Sequence, residues 1–220
     1  MSVDTEEKSL DDQIVDILFA EDAFEDNPLT EQILADRLGK GRSQIRDALN
    51  RLEAEELIER RKKKGVYVSK PSPKVIAELY DLRMLMEGYA ARQAAQSASK
   101  EEIGTLNSCA EEFERAAEAR DFREKERQNT VFHLSLVDLS RNDFLIRMIG
   151  RMNIIRKAFR YAYGLEPQLQ RVGSPYSHGK IVESLTNRDA DTAESLVRNH
   201  IQIGKERVLE QALGFRMKSV

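Results

Sequence analysis

The chain contains three histidines, His133, His178 and His200, and each falls on the apolar stripe of a different segment with helical periodicity. An imidazole placed in a helical core loses its hydration and needs a partner for its nitrogens. One shared divalent ion would satisfy all three, because histidine nitrogen is an ordinary ligand of Zn, Ni and Fe. The alternative is three separate imidazoles, each hydrogen-bonded within the core. The pattern favours a shared metal, provided that the three helices converge.

A further polar side chain lies one helical turn before the first histidine. In the segment NTVFHLSLVDLS, Asn129 precedes His133 by four residues and shares a face with Phe132 and Leu136. The amide oxygen of Asn129 is also able to ligate a metal ion. The pattern therefore places two ligand-capable groups on a face that the helix is expected to bury.

Two arginines also fall among apolar residues of predicted helices. Arg83 lies on a line with Leu79, and Arg151 lies near Met148. A buried guanidinium is costly unless it is paired, and a carboxylate ligand would pair it bidentately. Arg83 and Arg151 are therefore candidate effector-binding residues. An internal ion pair of Arg83 with Glu87, four residues later, is the alternative.

Charge is distributed unevenly along a chain whose net charge is −3. Residues 1–36 carry twelve acidic residues and a single base, whereas residues 37–70 carry eleven bases and five acids. A local excess of positive charge can face phosphates even when the whole chain is acidic. The segment 37–70 is therefore the candidate nucleic-acid-binding part.

The same segment has the pattern of a winged helix-turn-helix. Thr30 is a predicted N-cap, Gly39 ends a short helix, and a second helix begins near Arg42 with Arg46 one turn later on its outer face. A helix of this kind enters the major groove, where arginine grips guanine or phosphate. Two short strands follow, and their basic tip is expected to lie along the DNA backbone or in a minor groove. The tip contributes Lys63, Lys64 and Gly65, the last of which allows a sharp turn.

Residues after the segment KPSPK at 70–74 are predicted to be entirely helical. The prolines in this segment bar a continuous helix and mark a joint. We therefore predict a mainly α protein with a winged helix-turn-helix domain at 1–70, made of three helices and a short β-hairpin. An all-α antiparallel helix bundle is predicted at 71–220. The predicted bundle helices cover 74–96, 100–119, 121–139, 142–163, 175–187 and 189–212.

Several classes of protein are disfavoured by the sequence. The single Cys109 excludes an internal disulfide, the acidic N-terminus resembles no signal peptide, and no apolar run reaches the length of a membrane helix. We expect a cytoplasmic protein with no membrane association. The sequence contains neither HExxH nor an evident nucleophile–base pair, so an enzyme is not expected.

The segment LTEQILADRLGKGRSQIRDALNRLEAEELIERRKKKGVYV resembles the DNA-binding domain of the GntR family of bacterial transcription regulators. The resemblance implies that Arg42, Arg46 and Gly65 contact DNA, with Arg51 and Gln32 as further candidates. Gly41 stands where these proteins usually have a serine, which predicts a looser cap on the recognition helix.

The remainder of the chain is similar to the all-helical FCD effector domain of the FadR-like branch of that family. The similarity rests on LYDLRMLMEGYAA, NTVFH, SRND, SHGKIVESL and NRDADTAESLVRNHI. It implies that Asn129, His133, His178 and His200 hold a divalent ion, Zn foremost and otherwise Ni or Fe. Family members have aspartate where this chain has Asn129, so we expect weaker metal binding. The resemblance also points to Arg83 as a pocket arginine.

Together these features predict a homodimeric regulator that binds a double-stranded operator and responds to a small carboxylate metabolite. The carboxylate is expected to bind beside the metal in the helix bundle. A metal-dependent enzyme and a metal sensor, each built on the same three histidines, are the alternatives.

Overall fold

A computed structural model describes residues 9–20, 28–61, 65–163, 165 and 177–214 of the 220. Contacts divide the chain into two units, Met1–Lys70 and Pro71–Val220. The first unit contains helices and one hairpin, and the described part of the second is helical. The mainly α fold class predicted from the sequence is therefore confirmed. Over the described residues, no helix combines the length and hydrophobicity needed to cross a bilayer.

The first unit consists of three helices followed by a two-stranded antiparallel sheet. Thr30 caps the second helix, α2 (Glu31–Leu38), by accepting a hydrogen bond from the amide of Ile33, and Gly39 ends α2 in the left-handed conformation, as predicted. Gly41 precedes the third helix, α3 (Arg42–Ala54), and has no side chain with which to cap it. The elements are α1 (Leu10–Ala20), α2 (Glu31–Leu38), α3 (Arg42–Ala54), β1 (Ile58–Arg61) and β2 (Gly65–Val68).

The core of this unit is formed by one apolar face from each helix. Its largest fully buried side chains are aliphatic and come from all three helices and from β1, and α3 contributes three of them at helical spacing. This burial turns the opposite, arginine-bearing face of α3 towards solvent. The fully buried set comprises Ile14, Leu18, Leu34, Ile45, Leu49, Leu52 and Ile58.

Gly65 begins β2 in a conformation that other residues rarely adopt. Its φ is +111°, and a Cβ atom placed there would lie 2.8 Å from the carbonyl oxygen of Leu29 and 2.8 Å from Cβ of Pro28. The approach is close because Leu29 and Val66 exchange backbone hydrogen bonds of 3.2 and 2.8 Å. Packing of the wing therefore requires glycine here. The tip residues Lys63 and Lys64 lie outside the described residues.

Replacement of Gly65 by alanine should destabilise this unit by about 1–3 kcal/mol, because it combines backbone strain with a clash against fixed backbone. Hydrogen exchange at amides of α3 and β2 would report the loss. Gly104→Ala on the second unit is the matched control, since its added Cβ would meet no described atom within 4 Å apart from the local backbone of its own helix. Unchanged exchange in Gly65→Ala would refute the packing role.

The second unit is a helix bundle. Helix α4 (Pro73–Ser97) packs along α9 (Ala190–Leu213), and α5 (Lys100–Glu118) packs against α6 (Phe122–Asp138) and α8 (His178–Thr186). Small residues on α4 permit the close approach; a Cβ on Gly88 would lie 3.0 Å from Cγ and Nε of Arg198. Ser99 and Asp189 cap their helices, as predicted. The helices are α4 (Pro73–Ser97), α5 (Lys100–Glu118), α6 (Phe122–Asp138), α7 (Asp143–Ala162), α8 (His178–Thr186) and α9 (Ala190–Leu213).

Predicted helix ends in the bundle agree with the structure to within a few residues, with one informative difference. The helix predicted to begin at 175 begins at His178, and Ser177 caps it by accepting a hydrogen bond from Lys180 N. Residues 175 and 176 lie outside the described residues. The cap places His178 at the first position of α8, where the helix enters the core.

Candidate functional site

The three histidines come together in the second unit from three different helices. His133 is on α6, His178 is on α8 and His200 is on α9. Their ring centroids are 5.5 Å apart for His133–His178, 5.1 Å for His133–His200 and 4.7 Å for His178–His200. One nitrogen of each ring lies within 4.8 Å of the corresponding nitrogens of the other two. Among the described residues, this is the group whose donor atoms could hold a metal ion.

His178 is the most constrained member of this histidine cluster. It is 1% exposed and lies between two phenylalanine rings, stacked on Phe132 at 4.0 Å and edge-on to Phe113 at 4.5 Å. Both ring nitrogens are buried, and neither has a hydrogen-bond partner among the described residues. Burial, reinforced by the neighbouring histidines, holds the pKa of His178 well below its usual value. A neutral imidazole with an unused lone pair is the form that ligates a metal.

The unpartnered nitrogens of His178 provide a test of whether a divalent ion fits the cluster. A buried polar atom without a partner costs about 1–3 kcal/mol, so such atoms are uncommon unless a ligand completes them. Three imidazole nitrogens are a donor set that Zn, Ni and Fe accept. The residues present therefore fit a divalent ion.

His133 differs from His178 because it has a buried carboxylate as partner. Its Nδ1 lies 2.6 Å from Oε2 of Glu87, and the other oxygen, Oε1, accepts a 2.7 Å hydrogen bond from Nε of Arg83. Burial alone would raise the pKa of the Glu87 carboxyl, but Arg83 and His133 outweigh it and hold that pKa well below its usual range. Burial lowers the pKa of His133, and Glu87 offsets part of that effect.

A cavity of about 100 Å³ adjoins the histidine cluster. Asn129 lines it together with all three histidines, as the sequence pattern predicted for its position one turn before His133. Asn129 is half-buried, and its side chain makes no hydrogen bond to another described residue. Its amide oxygen is thus available to a ligand or an ion. Whether Asn129 coordinates metal remains a prediction.

The cavity wall is strongly cationic. Arg83 uses Nε for Glu87, and neither Nη1 nor Nη2 donates to any residue that the structure describes. Arg156 is 5% exposed and is occupied by Glu126 at 2.5 Å and Thr130 at 2.8 Å. The guanidinium fork of Arg83 is therefore the better placed to receive an anion. The cationic lining residues are Arg83, Lys125, Arg156, Arg160 and Arg207.

Two arginines of α7, Arg156 and Arg160, line the cavity, and neither is the one that the sequence pattern indicates. Arg151 is half-buried and is absent from the cavity lining, whereas Arg156 is present. The assumed apolar face included Met148, which is 42% exposed, while the buried face runs through Ile149 and Met152. Arg156 follows Ile149 and Met152 at helical spacing, and this spacing is the sequence signal that identifies it. The sequence pattern predicts Glu87 only as a partner of Arg83, and its place beside His133 has no local signal.

The predicted DNA-binding residues of the first unit fall into two groups. Arg42 and Arg46 are exposed near the start of α3; within the described residues, Arg42 makes no hydrogen bond or ion pair. Arg46 pairs with Glu31 on α2, its Nη2 lying 3.2 Å from Oε2. Arg51 instead makes a bidentate ion pair with Asp11 of α1, at 2.6 and 3.0 Å.

Gln32, the remaining candidate, donates a 2.5 Å hydrogen bond to Asp36 within α2. Arg51 and Gln32 are thus engaged inside the unit, and Arg51 ties α1 to α3. The structure places Arg42 and Arg46 together on the outer face near the N-terminal end of α3. These two arginines carry the DNA-contact hypothesis, and the contacts themselves stay predictions.

Comparison with known proteins agrees with both halves of this description. Residues 11–68 match the model for bacterial regulatory proteins of the gntR family, and residues 78–203 match the FCD domain. The Nta operon transcriptional regulator of Aminobacter aminovorans is 30% identical over 83% of this chain and 84% of its own length. The gluconate operon transcriptional repressor of Bacillus licheniformis is 26% identical over 60% of this chain and 54% of its own.

Solved structures agree on the fold. The E. coli McbR/YncC structure superposes with a TM-score of 0.77 at 19% identity and covers 93% of this chain and 99% of that one. A GntR regulator structure from Rhodococcus has a TM-score of 0.69 at 17% identity, covering 91% and 95%. The chain belongs to the GntR family and is a DNA-binding transcription regulator with an FCD effector domain.

Proposed function

We propose that this regulator binds a two-fold operator as a homodimer, with Arg42 and Arg46 at the DNA, and that a small carboxylate bound beside a divalent ion controls operator affinity. One observation carries the effector half of this proposal. Within a three-histidine cluster, His178 buries two nitrogens that find no hydrogen-bond partner in the described parts of the chain, and the adjoining cavity is lined by cations. An anion and a metal ion together complement that site.

His133, His178 and His200 would hold the ion through ring nitrogens, and Asn129 would offer its amide oxygen. A bound ion supplies an open coordination position for a carboxylate oxygen. The Nη fork of Arg83 would take the same carboxylate bidentately, because it is the unoccupied part of a guanidinium that Glu87 holds in place. Zn is the preferred ion for this neutral nitrogen-rich set, and Ni or Fe are alternatives.

Control of DNA binding requires that the ligand distinguish two states of the protein. Helix α4 begins at Pro73, within the KPSPK joint at 70–74, and carries Arg83 and Glu87. A ligand that shifts α4 is therefore able to act on the joint. A coupling free energy of about 1–3 kcal/mol is sufficient for regulation.

A homodimer is supported by exposed apolar residues on α4. Val75, Leu82, Leu85 and Tyr89 recur at spacings of three, four or seven residues, so they form one stripe along the helix. Such stripes are typical of helices that pack against a partner. A two-fold dimer would present two α3 helices to the half-sites of one operator.

A thermal-shift screen of metabolite carboxylates against zinc-loaded protein tests the effector assignment. Sugar acids are the first compounds to screen, because one relative is named for a gluconate operon. A ligand of the folded state should raise the melting temperature and change operator affinity. A melting response to metal alone, together with altered operator binding, would favour a metal sensor. Turnover of a bound carboxylate would favour a metalloenzyme.

For a carboxylate identified in this way, Arg83→Lys should weaken binding by about 10- to 100-fold, the equivalent of hydrogen bonds to a charged group. Lysine keeps a positive charge beside Glu87 and removes the Nη fork. Calorimetry on the zinc-loaded protein measures the change. Arg151→Lys is the comparison on α7: a loss there, with Arg83→Lys unaffected, would contradict the cavity-based assignment.

A further inference from the structure

Arg83, Glu87 and His133 form a buried series of hydrogen bonds that metal ligation alone does not explain. Glu87 is 0% exposed, and its two carboxylate oxygens have different partners. Oε1 accepts from Arg83 Nε, and Oε2 lies 2.6 Å from His133 Nδ1. A fully buried carboxylate with both oxygens occupied is fixed in orientation. The question is what this orientation does for His133.

We infer that Glu87 is a positioning residue that keeps the proton of His133 on Nδ1 and leaves the Nε2 lone pair for the shared ion. This inference rests on the metal site proposed above and adds a residue to it. Ionised carboxylates only accept hydrogen bonds, so the neutral imidazole beside Glu87 must donate from Nδ1. A neutral imidazole then has one remaining lone pair, on Nε2.

Arg83 has a distinct part in this arrangement. Arginine can only donate, so it claims one oxygen of Glu87 and fixes which oxygen is left for His133. It also compensates a negative charge that would otherwise be buried and unpaired. Histidine ligands whose second nitrogen donates to a carboxylate are held in both tautomer and ring orientation, and losing that partner costs about 10- to 100-fold in metal affinity.

His178 and His133 thus differ within the histidine cluster. His178 has no hydrogen-bonding partner among the described residues to select its tautomer, whereas His133 has a buried one. The ligating nitrogen of His133 is therefore decided before any ion arrives, whereas that of His178 is not. Glu87 lies on α4, so the first helix of the second unit is tied directly to the cluster.

Glu87→Gln gives a sharp test because the amide has one accepting and one donating end. Arg83 would claim the amide oxygen, which leaves the NH₂ group facing His133 Nδ1. That nitrogen must then accept, and the proton moves to Nε2, which can no longer ligate. We expect zinc affinity, measured by competition with a chromophoric chelator, to fall by about 10- to 100-fold.

The double variant Glu87→Gln with Arg83→Met supplies the rescue. Methionine donates no hydrogen bond, so the amide of residue 87 is free to turn its oxygen towards His133 Nδ1. Zinc affinity should recover most of the loss. A purely structural role for Glu87 predicts the reverse, since the second substitution would only add damage. A double variant that binds zinc no better than Glu87→Gln overturns the inference.

A readout without metal separates this inference from the metal proposal. Nitrogen chemical shifts of His133 in the chelator-treated full-length chain report the tautomer, which should be Nδ1–H in the wild type and Nε2–H in Glu87→Gln. The same tautomer in both proteins would overturn the inference. The expected switch in a protein that binds no zinc would retain the role of Glu87 and reject the metal site.

Glu194→Gln is the matched control. Glu194 is also a helix carboxylate that links α4 to α9, through Arg92 at 2.5 Å, and it does not line the cavity. Its replacement should leave zinc affinity and the His133 tautomer unchanged. An equal loss of zinc affinity in Glu194→Gln would show that any weakening of the bundle has the same effect, and would also overturn the inference.

Discussion

Replacement of both Arg42 and Arg46 by alanine should abolish specific operator binding and leave the fold intact. Each arginine that grips a base bidentately contributes about 1–3 kcal/mol of discrimination, so the pair accounts for a loss of at least about 30-fold. Neither side chain is buried. Glu31, the partner of Arg46, also lies 3.9 Å from Arg60, so it keeps a cation nearby.

The measurement needs an operator, which in vitro selection from random duplex DNA with the wild-type protein would supply. Fluorescence anisotropy at several salt concentrations then separates two roles. Loss of a base contact relaxes sequence preference, whereas loss of a phosphate contact weakens all sequences alike and lowers the salt slope by about one. Arg115→Ala, which removes an exposed arginine paired with Glu112 on α5, is the control. Wild-type footprints from the double variant would refute the interface.

Replacement of His178 by alanine is expected to remove the divalent ion. A ligand from the first coordination shell should matter more than an outer-shell partner, so the loss of zinc affinity should exceed about 100-fold. Metal content after dialysis and chelator competition both measure it. Cys109→Ser is the control, because Cys109 is half-buried and carries the single thiol of the chain. Retention of metal by His178→Ala would reject the site.

The melting temperature also distinguishes a metal-binding histidine from a structural one. In metal-free protein, His178→Ala loses the stacking on Phe132 but also removes a buried imidazole with unpartnered nitrogens. These effects oppose each other, so the melting temperature should change little. In the presence of zinc, the wild type alone should gain stability. A large loss of stability in metal-free protein would indicate that His178 is structural.

Much of this molecule follows from local patterns. The cap at Thr30, the left-handed Gly39 and the alternation around Val66 were sufficient to predict the winged helix-turn-helix, because each is decided by residues within one turn or one hairpin. The placement of His133 and His178 on buried helix faces was likewise readable from spacing of 3.6 residues. Helical periodicity indicates which face of a helix is buried. Because that face is broad, residue spacing is sufficient to place both histidines on it.

Helical periodicity did not distinguish which arginine of α7 lies on the buried face. Arg151 and Arg156 are five residues apart, which corresponds to about 140° around a helix. Apolar residues occur on both sides of α7, and the predicted face was drawn through Met148, which is exposed, rather than through the buried residues. Packing of α7 against α4 and α6 decides between the two, and that packing has no local signature.

The sequence by itself determined the two-part organisation, the helix with two exposed arginines near its start, and the three histidines on inward faces. Only the tertiary structure decided that those histidines meet, that His178 has no hydrogen-bonding partner among the described residues, and that Glu87 holds Nδ1 of His133. The physical reason is distance along the chain. Each histidine lies at least 22 residues from the next, so their convergence depends on how close-packed helices rotate and slide against one another.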